Sequence, residues 1–352
     1  MSASSTSSTS ARVGAVAIGR NEGERLRRCL EALGRETSRI VYVDSGSTDG
    51  SAEMARARGV EVVDLDMTIP FTAARARNAG FERLRERWPE TEYIQFVDGD
   101  MEVLPGWLTT AEQLLDDRTD VVAVCGWRRE RHPERSIYNR ICDMEWRMGE
   151  VGETANFGGD VMFRATALAE VGGYDTGVIA AEDDELGVRL RERGGKLVRI
   201  DHESTLHDAD MHHFRQWWTR AKRCGHAYAQ VRALHGDGEQ AKFVTELRRT
   251  WIFGALVPGG ALVLTVPTLG LSWGALGFYP LNAVRIAAGT HRRGFSWPDS
   301  LAWGASCALS PIPQALGAAK FFLDKLRRRR PEIIEYKGLA GRGARPNHGA
   351  RP

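Results

Sequence analysis

The chain has 352 residues, of which 42% are hydrophobic and 27% are charged, so it contains enough apolar sequence for a folded core and is not a disordered polypeptide. Lysine and arginine together number 48 against 46 aspartates and glutamates, and this near balance argues against a protein that binds nucleic acid through bulk positive charge. The 5 cysteines include no C-x-x-C pair, which argues against a disulfide framework and against a zinc ribbon.

The first part of the chain alternates between short apolar runs and stretches with apolar residues at helical spacing. The apolar runs predict strands at 13–18, 39–43, 60–65, 93–97 and 121–125. The stretches between them predict helices at 21–34, 49–59, 72–88 and 105–115, the second of them capped by Asp49. This alternation predicts β-α-β units, and hence an α/β fold with a mostly parallel sheet and flanking helices.

Polar residues follow the predicted strands where each strand ends. The first strand is followed by Arg20, Asn21 and Glu22, the second by residues 44–49, and the fourth by Asp98, Gly99 and Asp100. Ligands of open α/β sheets bind at the carboxyl ends of the strands, so we expect the binding site there. No G-x-G-x-x-G follows the first strand and no P-loop lysine motif occurs, which disfavours a dinucleotide oxidoreductase and a P-loop enzyme.

Two of these acidic segments have both a chemical and a plain interpretation. Asp98 and Asp100 lie on one turn and could hold a hard divalent cation together with a diphosphate, although an isolated Asp-Gly-Asp is more often only a turn. Asp44, at the end of the second strand, could bond a ribose hydroxyl or a base edge, or could simply be a turn residue.

A third acidic segment, residues 182–185, opens a predicted helix that ends at Gly194. Acids in a first turn complement the helix dipole, which is the plain interpretation. The chemical interpretation is that one of them faces a cleft as a general base, and that the helix end helps to keep it ionised.

Further along, three features carry weaker predictions. His207 follows a predicted strand at 196–200 within a polar cluster that is typical of a surface loop, but it could also be a metal ligand beside Asp100. Gly158 and Gly159 precede Asp160 in a bend that either permits close approach of a ligand or is a plain bulge. Trp218 belongs to an aromatic stripe that is either core or a platform for a sugar or a lipid.

The two ends of the chain differ in character. Residues 2–10 consist mainly of serine and threonine and predict a disordered tail without a signal peptide, so we expect the first domain to stay in the cytoplasm. Residues 250–284 contain no Asp, Glu, Lys, Arg or His, and 300–319 are nearly as apolar. We expect membrane contact through residues 250–330, by insertion without a full crossing; the alternative is a Gly/Ala-rich helical subdomain packed on the main domain.

The order of these motifs is more specific than any one of them. It runs from Arg20-Asn21-Glu22 through 43–49, 74–80 and 98–100 to Glu182-Asp183 at the head of a helix. Over about residues 12–235 this set resembles the family 2 glycosyltransferases with the GT-A fold. The apolar tail resembles that of bacterial members that act on lipid-linked acceptors in polysaccharide assembly.

The resemblance implies a role for each matching residue. Asp183 would be the catalytic base, and Asp100 and His207 would hold Mn²⁺ or Mg²⁺ on the donor diphosphate. The donor nucleotide-sugar would contact Arg20, Asn21, Glu22, Asp44, Ser45, Arg77 and Asp98. The acceptor side would include Gly159, Asp160, Glu182 and Trp218.

The expected activity is transfer of a single sugar, with inversion, from a nucleotide-diphosphate sugar to a lipid-linked or saccharide acceptor at the cytoplasmic face of the cell membrane. Single transfer is expected because residues 216–220 lack the Gln-x-x-Arg-Trp spacing of processive members. The expected organisation is a tail at 1–11, a catalytic domain at 12–235, a membrane-associated helical region at 236–330 and a basic tail at 331–352. Nucleic acid is not an expected partner. The alternatives are a sugar-nucleotide pyrophosphorylase and an inactive, membrane-anchored scaffold.

Overall fold

The structure is a computed structural model that describes residues 10–236, 238, 240 and 242–329. The predicted tails at 1–11 and 331–352 lie outside these residues, apart from positions 10 and 11. The chain divides into two compact units. The first takes in described residues from 10–132, 143–209 and 231–242, and the second takes in 133–142, 210–230 and the described residues from 243 on. The expected domain boundary at residue 235 stays a prediction.

The described chain contains nine strands and thirteen α-helices, together with two 3₁₀ helices (Pro133–Arg135 and Leu271–Gly277) and a π-helical segment (Ile252–Leu256). The strands are β1 (Val13–Gly19), β2 (Ile40–Asp44), β3 (Glu61–Asp64), β4 (Tyr93–Asp98), β5 (Met101–Val103), β6 (Val121–Glu130), β7 (Gly152–Glu153), β8 (Met162–Arg164) and β9 (Lys196–His207). The helices are α1 (Glu24–Glu36), α2 (Ser51–Ala57), α3 (Ala73–Arg87), α4 (Trp107–Asp117), α5 (Ile137–Trp146), α6 (Ala165–Glu170), α7 (Glu182–Glu192), α8 (Phe214–His235), α9 (Val244–Trp251), α10 (Val257–Val263), α11 (Phe278–Arg292), α12 (Trp297–Leu309) and α13 (Pro311–Leu326).

The sheet of the first unit is mixed, which corrects the expectation of a mostly parallel one. Its strands run in the order β3-β2-β1-β4-β8-β6-β9-β5, with β7 paired to β9. The pairs among β1 to β4 are parallel, as is β6 with β9, but β8 runs antiparallel to both β4 and β6, and β5 runs antiparallel to β9. β5 and β8 have only three residues each, which is too short for the sequence to indicate their direction. The sequence therefore predicted only the parallel strand pairs.

The core lies on both faces of this sheet. Along β1, Val16 and Ile18 belong to one buried cluster and Ala15 and Ala17 to another, as expected for a strand whose side chains alternate between two covered faces. Helix α3 packs on the first face, and α1 and α4 pack on the second. Because β1 is buried on both sides, its end and the ends of its neighbours are held in fixed positions.

Several predicted element boundaries differ from the observed ones; the strand predicted at 121–125, for example, continues to Glu130. The strand predicted at 196–200 continues to His207, because the polar residues after Ile200 still pair with β6 across several register shifts. His207 is therefore the last residue of a strand and not part of a surface loop. The second helix begins at Ser51 with Gly50 as its N-cap, and Asp49 instead accepts a hydrogen bond from the Ser51 N–H at 3.0 Å.

The second unit is helical and contains α9 to α13. No helix in the described part of the chain combines the length and the apolar character that a membrane crossing requires.

Candidate active site

The carboxyl ends of β1, β2 and β4 bring two of the predicted acids to one edge of the sheet. β1 lies between the other two strands, and its register pairs Gly19 with Asp44 on one side and Ile18 with Asp98 on the other. Asp44 is buried, whereas the Asp98 side chain is 32% exposed. A ligand over the end of β1 would therefore meet both carboxylates.

Hydrogen bonds fix the loop that follows β2. The Tyr42 hydroxyl donates to Asp44 Oδ1 at 2.8 Å, and the Ser47 N–H donates to Asp44 Oδ2 at 2.7 Å. The Asn21 N–H donates to Ser47 Oγ at 2.9 Å, so the loops after β1 and β2 are joined. Ser45 is buried, and its N–H donates to the Gly19 carbonyl at 3.0 Å. These bonds hold Asp44 and Ser45 in place before any ligand arrives.

The other two residues predicted after β1 differ in burial. Arg20 is exposed, and its guanidinium lies 4.9 Å from the centroid of the Phe71 ring. The Glu22 side chain is only 10% exposed, and it pairs with Arg25, one turn along the chain, at 2.8 Å. Glu22 also packs against the ends of β1 and β4, because a Cβ added at Gly19 or at Gly99 would meet its Cγ. The predicted contacts of both residues with a donor stay predictions.

A buried arginine connects the end of β4 to the start of α7. Arg77, which is 3% exposed, donates from Nη2 to Asp98 Oδ1 at 2.9 Å and from Nη1 to Glu182 Oε1 at 2.5 Å. Its guanidinium also lies 5.4 Å from the centroid of the Tyr174 ring. Because both η nitrogens are engaged by carboxylates, this geometry supports a positioning role for Arg77; its predicted donor contact stays untested.

Gly159 is required by close packing against this ion-pair network. A Cβ added there would contact Arg77 Nη2 and would lie 3.2 Å from Asp98 Oδ1. The predicted Gly158-Gly159 bend thus brings the backbone against the buried arginine. It leads into β8.

Asp183 lies beside Glu182 in the first turn of α7. Helix α7 starts after Ala181, whose φ of 57° is a left-handed conformation that a residue with a side chain rarely adopts. Strain of this kind costs on the order of 1–3 kcal/mol and is concentrated at functional sites. The Asp184 N–H donates to Asp183 Oδ1 at 3.0 Å, and Lys242 Nζ lies 2.9 Å from Asp184 Oδ1.

The expectation that the helix end keeps Asp183 ionised was wrong. Burial raises the pKa of Asp183 above its usual value, and the neighbouring charges of Asp184 and Glu182 raise it further. Arg77 acts in the opposite direction but does not compensate. The carboxyl is therefore a stronger base than an exposed aspartate, and it is also protonated at a higher pH.

Sequence reasoning missed a second buried ion pair at this site. Arg128 of β6 pairs with Asp160 and lies 5.2 Å from the centroid of the Trp146 ring. The Thr205 hydroxyl donates to the other oxygen of Asp160. Burial raises the pKa of Asp160, but Arg128 outweighs that effect and holds it below its usual value. The sequence offered no clear signal for this pair, because Arg128 lies beyond the strand predicted at 121–125 and beside Arg129 and Glu130.

Asp100 and His207 meet at the other side of the same turn. β5 pairs Met101 with His207, and this places His207 Nε2 3.3 Å from Asp100 Oδ2 with both residues buried. The Trp146 ring meets the imidazole edge-on, with centroids 4.8 Å apart. Across the described residues, no group of three His, Cys, Asp or Glu side chains is arranged to hold a metal ion.

This pair nevertheless fits a metal that takes its remaining ligands from a substrate. A carboxylate and an imidazole suit Mn²⁺, and His207 Nδ1 is buried without a hydrogen-bond partner. Oxygens of a diphosphate would supply the other positions.

One predicted site residue belongs to the other unit. Trp218 of α8 lies in the second unit, half-buried, with its ring centroid 5.7 Å from that of Phe214. The other predicted residues belong to the first unit. The predicted acceptor-side role of Trp218 is untested.

Sequence comparison finds a family match over part of the chain. Residues 16–171 match the family model described as "Glycosyl transferase family 2". A TPR repeat-containing protein of Synechococcus elongatus is 28% identical over 132 residues, which are 37% of this chain and 30% of the relative. The succinoglycan biosynthesis protein ExoA of Rhizobium meliloti is 28% identical over 198 residues, which are 52% of this chain and 57% of ExoA. The matched regions thus span less than two thirds of either relative.

Solved structures share the fold. The mannosyltransferase PcManGT from Pyrobaculum calidifontis, solved in complex with GDP-Man and Mn²⁺, has a TM-score of 0.56 at 18% identity, with 89% of this chain and 88% of that chain covered. S. aureus TarS 1–349 has a TM-score of 0.50 at 13% identity, with 89% and 92% covered. At these identities the likeness shows the mixed α/β fold alone.

Proposed function

Because residues 16–171 match the glycosyl transferase family 2 model, we propose that this protein transfers a single sugar from a nucleotide-diphosphate sugar to an acceptor hydroxyl. The observation that carries the proposal is the Arg77 bridge, which brings the end of β4 and the start of α7 together. Arg77 thereby joins Asp98 and Glu182 near the strand ends, where open α/β sheets bind their ligands, and Asp183 follows Glu182 directly in the chain. The relatives' names are consistent with this: PcManGT is a mannosyltransferase in complex with GDP-Man, and ExoA is a succinoglycan biosynthesis protein.

The donor would lie over the carboxyl end of β1. Asp44 and Ser45 would contact the base or ribose, and Asp98 would lie near the ribose or the donor sugar. Asp100 and His207 would hold Mn²⁺ or Mg²⁺ beside the diphosphate. When bound, the metal would supply Lewis-acid stabilisation of the charge on the departing diphosphate.

Asp183 would act as the general base. It would take the proton of the acceptor hydroxyl while the acceptor oxygen bonds to the anomeric carbon. The bond from that carbon to the diphosphate oxygen would break, and the nucleoside diphosphate would leave with the electron pair. Attack from the side opposite the leaving group would invert the configuration. The raised pKa of Asp183 favours this role, because a base whose pKa lies closer to neutral takes up a proton more readily.

The acceptor would be a lipid-linked saccharide in polysaccharide or glycolipid assembly, used at the cytoplasmic face of the cell membrane. Two features support this part of the proposal. The segment 250–284 carries no charged residue, and large apolar side chains of the second unit are exposed. The relative ExoA is named a succinoglycan biosynthesis protein.

The experiment is an assay of nucleoside diphosphate release from UDP-, GDP- and dTDP-sugars by the full chain, with Mn²⁺ and with a chelator. Asp100→Asn and His207→Gln should each raise the Mn²⁺ concentration for half-maximal release by about tenfold or more, since even groups behind a ligand change metal affinity by that much. Asp120→Asn removes a surface acid that pairs with Lys196, and it serves as the control because it should leave the metal requirement unchanged.

The other outcomes point to the alternatives. A sugar-nucleotide pyrophosphorylase would form nucleoside triphosphate when diphosphate is added and would release no nucleoside diphosphate. An inactive scaffold would do neither with any donor. If nucleoside diphosphate is released equally with Mn²⁺ and with chelator, the metal site is contradicted, but the proposal of sugar transfer is not.

A further inference from the structure

The most exposed apolar side chains of the described chain lie at the tip of one helical hairpin. This hairpin, residues 257–277, consists of α10, a turn, and the 3₁₀ helix Leu271–Gly277. At its tip Val266 is 82% exposed, Leu269 94% and Leu271 84%. Single exposed leucines are common on soluble proteins, but a contiguous cluster marks a surface that another apolar phase covers.

The polar groups of the tip are already paired within the hairpin. The Gly270 N–H donates to the Thr265 carbonyl at 2.8 Å, and the Ser272 hydroxyl donates to the Ala261 carbonyl at 2.7 Å. The Trp273 Nε1–H donates to Thr265 Oγ1 at 3.0 Å, and the Thr268 hydroxyl donates to the Leu264 carbonyl at 2.6 Å. A loop that stays in water does not need such pairing, whereas a segment that enters hydrocarbon does, since an unpaired group there costs several kcal/mol.

Charge surrounds the hairpin without entering it. No Asp, Glu, Lys, Arg or His occurs from residue 250 to residue 284. Between residues 243 and 300 the flanking arginines outnumber the acids: Arg248, Arg249, Arg285, Arg292 and Arg293 against Glu246 and Asp299. An apolar tip with cationic flanks complements an anionic lipid surface, whose headgroups attract each basic residue by about 1 kcal/mol.

We propose that the tip of this hairpin inserts into one leaflet of a lipid bilayer and anchors the protein from one side. The proposal deepens the membrane part of the proposed function by naming the inserting element and its depth. Helical structure continues from α9 through the π-helical segment Ile252–Leu256 into α10, and the 7 residues of α10 rise about 10 Å beyond that segment, against a hydrocarbon core about 30 Å thick. The hairpin therefore reaches into the near leaflet and stops there.

The test is flotation of the full chain with vesicles of phosphatidylcholine, alone and mixed with phosphatidylglycerol. Wild type should float with the mixed vesicles. The fraction of the variant Leu269→Glu/Leu271→Glu that partitions onto the vesicles should be lower by about tenfold or more, because charged side chains are strongly disfavoured in hydrocarbon. The matched control Val151→Glu/Leu234→Glu changes two exposed apolar residues of the first unit and should float as wild type does.

Depth is measured with a fluorophore on Leu269→Cys. Cys224 and Cys307, the two cysteines that are not buried, are replaced by serine so that labelling is specific. Lipids brominated in the acyl chain should quench the label. Absence of quenching, or equal flotation of wild type and the tip variant, would overturn the proposal. Sedimentation in lipid-free buffer gives a further test. If wild type is a dimer there and the tip variant is a monomer, the cluster is an interface between copies and the proposal is overturned.

Nucleoside diphosphate release in lipid-free buffer separates this inference from the proposed function. The tip variant should keep wild-type release, since these residues are outside the candidate active site. If release is absent from both proteins while flotation behaves as expected, the catalytic proposal fails and the anchor stands.

Discussion

Arg77 and Glu182 lie 105 positions apart in the chain, yet Arg77 Nη1 lies 2.5 Å from Glu182 Oε1 in a buried ion pair. The other η nitrogen of the same guanidinium holds Asp98. One side chain of α3 thus sets the position of a strand end and of the first turn of α7. Because Asp183 follows Glu182 directly, its place in the site depends on this arginine.

Removal of Arg77 should destabilise the protein strongly. Arg77→Ala leaves two carboxylates without their partner, and breaking a buried ion pair in this way costs about 3–5 kcal/mol. The measurement is the free energy of unfolding in urea. Arg83→Ala, on the same helix, removes an exposed pair with Glu61 and should cost less than about 1 kcal/mol. Equal losses in the two variants would show that Arg77 contributes no more than a surface arginine.

A methyl group at Gly159 should disturb the same network from the opposite side. In Gly159→Ala the new Cβ contacts Arg77 Nη2, which cannot swing away without leaving Asp98. We expect a loss of about 1–3 kcal/mol in the free energy of unfolding, as for other overpacked positions, together with weaker donor binding.

Gly34→Ala is the matched control for that substitution. Gly34 lies within α1, and nothing lies within 4 Å of the position its Cβ would take. This substitution should stabilise the protein by about 0.5–1 kcal/mol, because alanine is the better helix former. The prediction for Gly159 is contradicted if its alanine variant also gains stability and binds the donor normally.

Replacement of the proposed base should stop turnover without affecting donor binding. Asp183→Asn keeps the size of the side chain but cannot accept the acceptor proton, so kcat should fall by about 10²–10⁴-fold. Calorimetric titration with the nucleoside diphosphate and Mn²⁺ should give an unchanged Kd. Asp184→Asn removes the neighbouring acid that pairs with Lys242 and should keep most of the turnover. Full activity of Asp183→Asn would require a different base.

The pH dependence of kcat should report the raised pKa of Asp183. The base must be deprotonated to act, so kcat should fall as the pH is lowered through that pKa, at a higher pH than for an ordinary aspartate. The charge of Asp184 is one cause of the rise, so Asp184→Asn should move the acidic limb of the profile to lower pH. A limb in the same place in both proteins would show that another group controls the rate.

His226, in α8, should make stability depend on pH. Burial, and next the charge of Lys320, lower the pKa of His226 from 6.5 to about 4. The unfolded chain therefore binds the proton more readily, and the free energy of unfolding should fall as the pH drops from 6.5 towards 4. A shift of this size corresponds to about 3 kcal/mol.

The variant His226→Leu isolates this effect. Its urea unfolding is compared with that of wild type at several pH values, so that contributions of other groups cancel in the difference. The difference should be constant above pH 6.5 and should change in favour of the variant below it. A difference that does not vary with pH would mean that the imidazole is not held neutral in the fold.

Local sequence was sufficient for the parallel half of the sheet. β1 and β4 are covered on both faces, so their sequences are continuous apolar runs, and the acids that follow them stand out. The order of those motifs also predicted a resemblance to the family whose model residues 16–171 match. The predicted roles of Asp44, Asp100 and His207 remain predictions.

Other features of the site could be found only in the tertiary structure, because they depend on residues that are distant from one another in the chain. The sequence does not reveal that β8 enters antiparallel between β4 and β6, because its direction is set by its neighbours and not by its own three residues. It does not reveal that Arg77 and Arg128 are held in buried ion pairs, because the carboxylates that neutralise them lie elsewhere in the chain. The same holds for Asp183: a helix start favours the charged form, but burial and two adjacent acids, which act only in the folded site, reverse that preference.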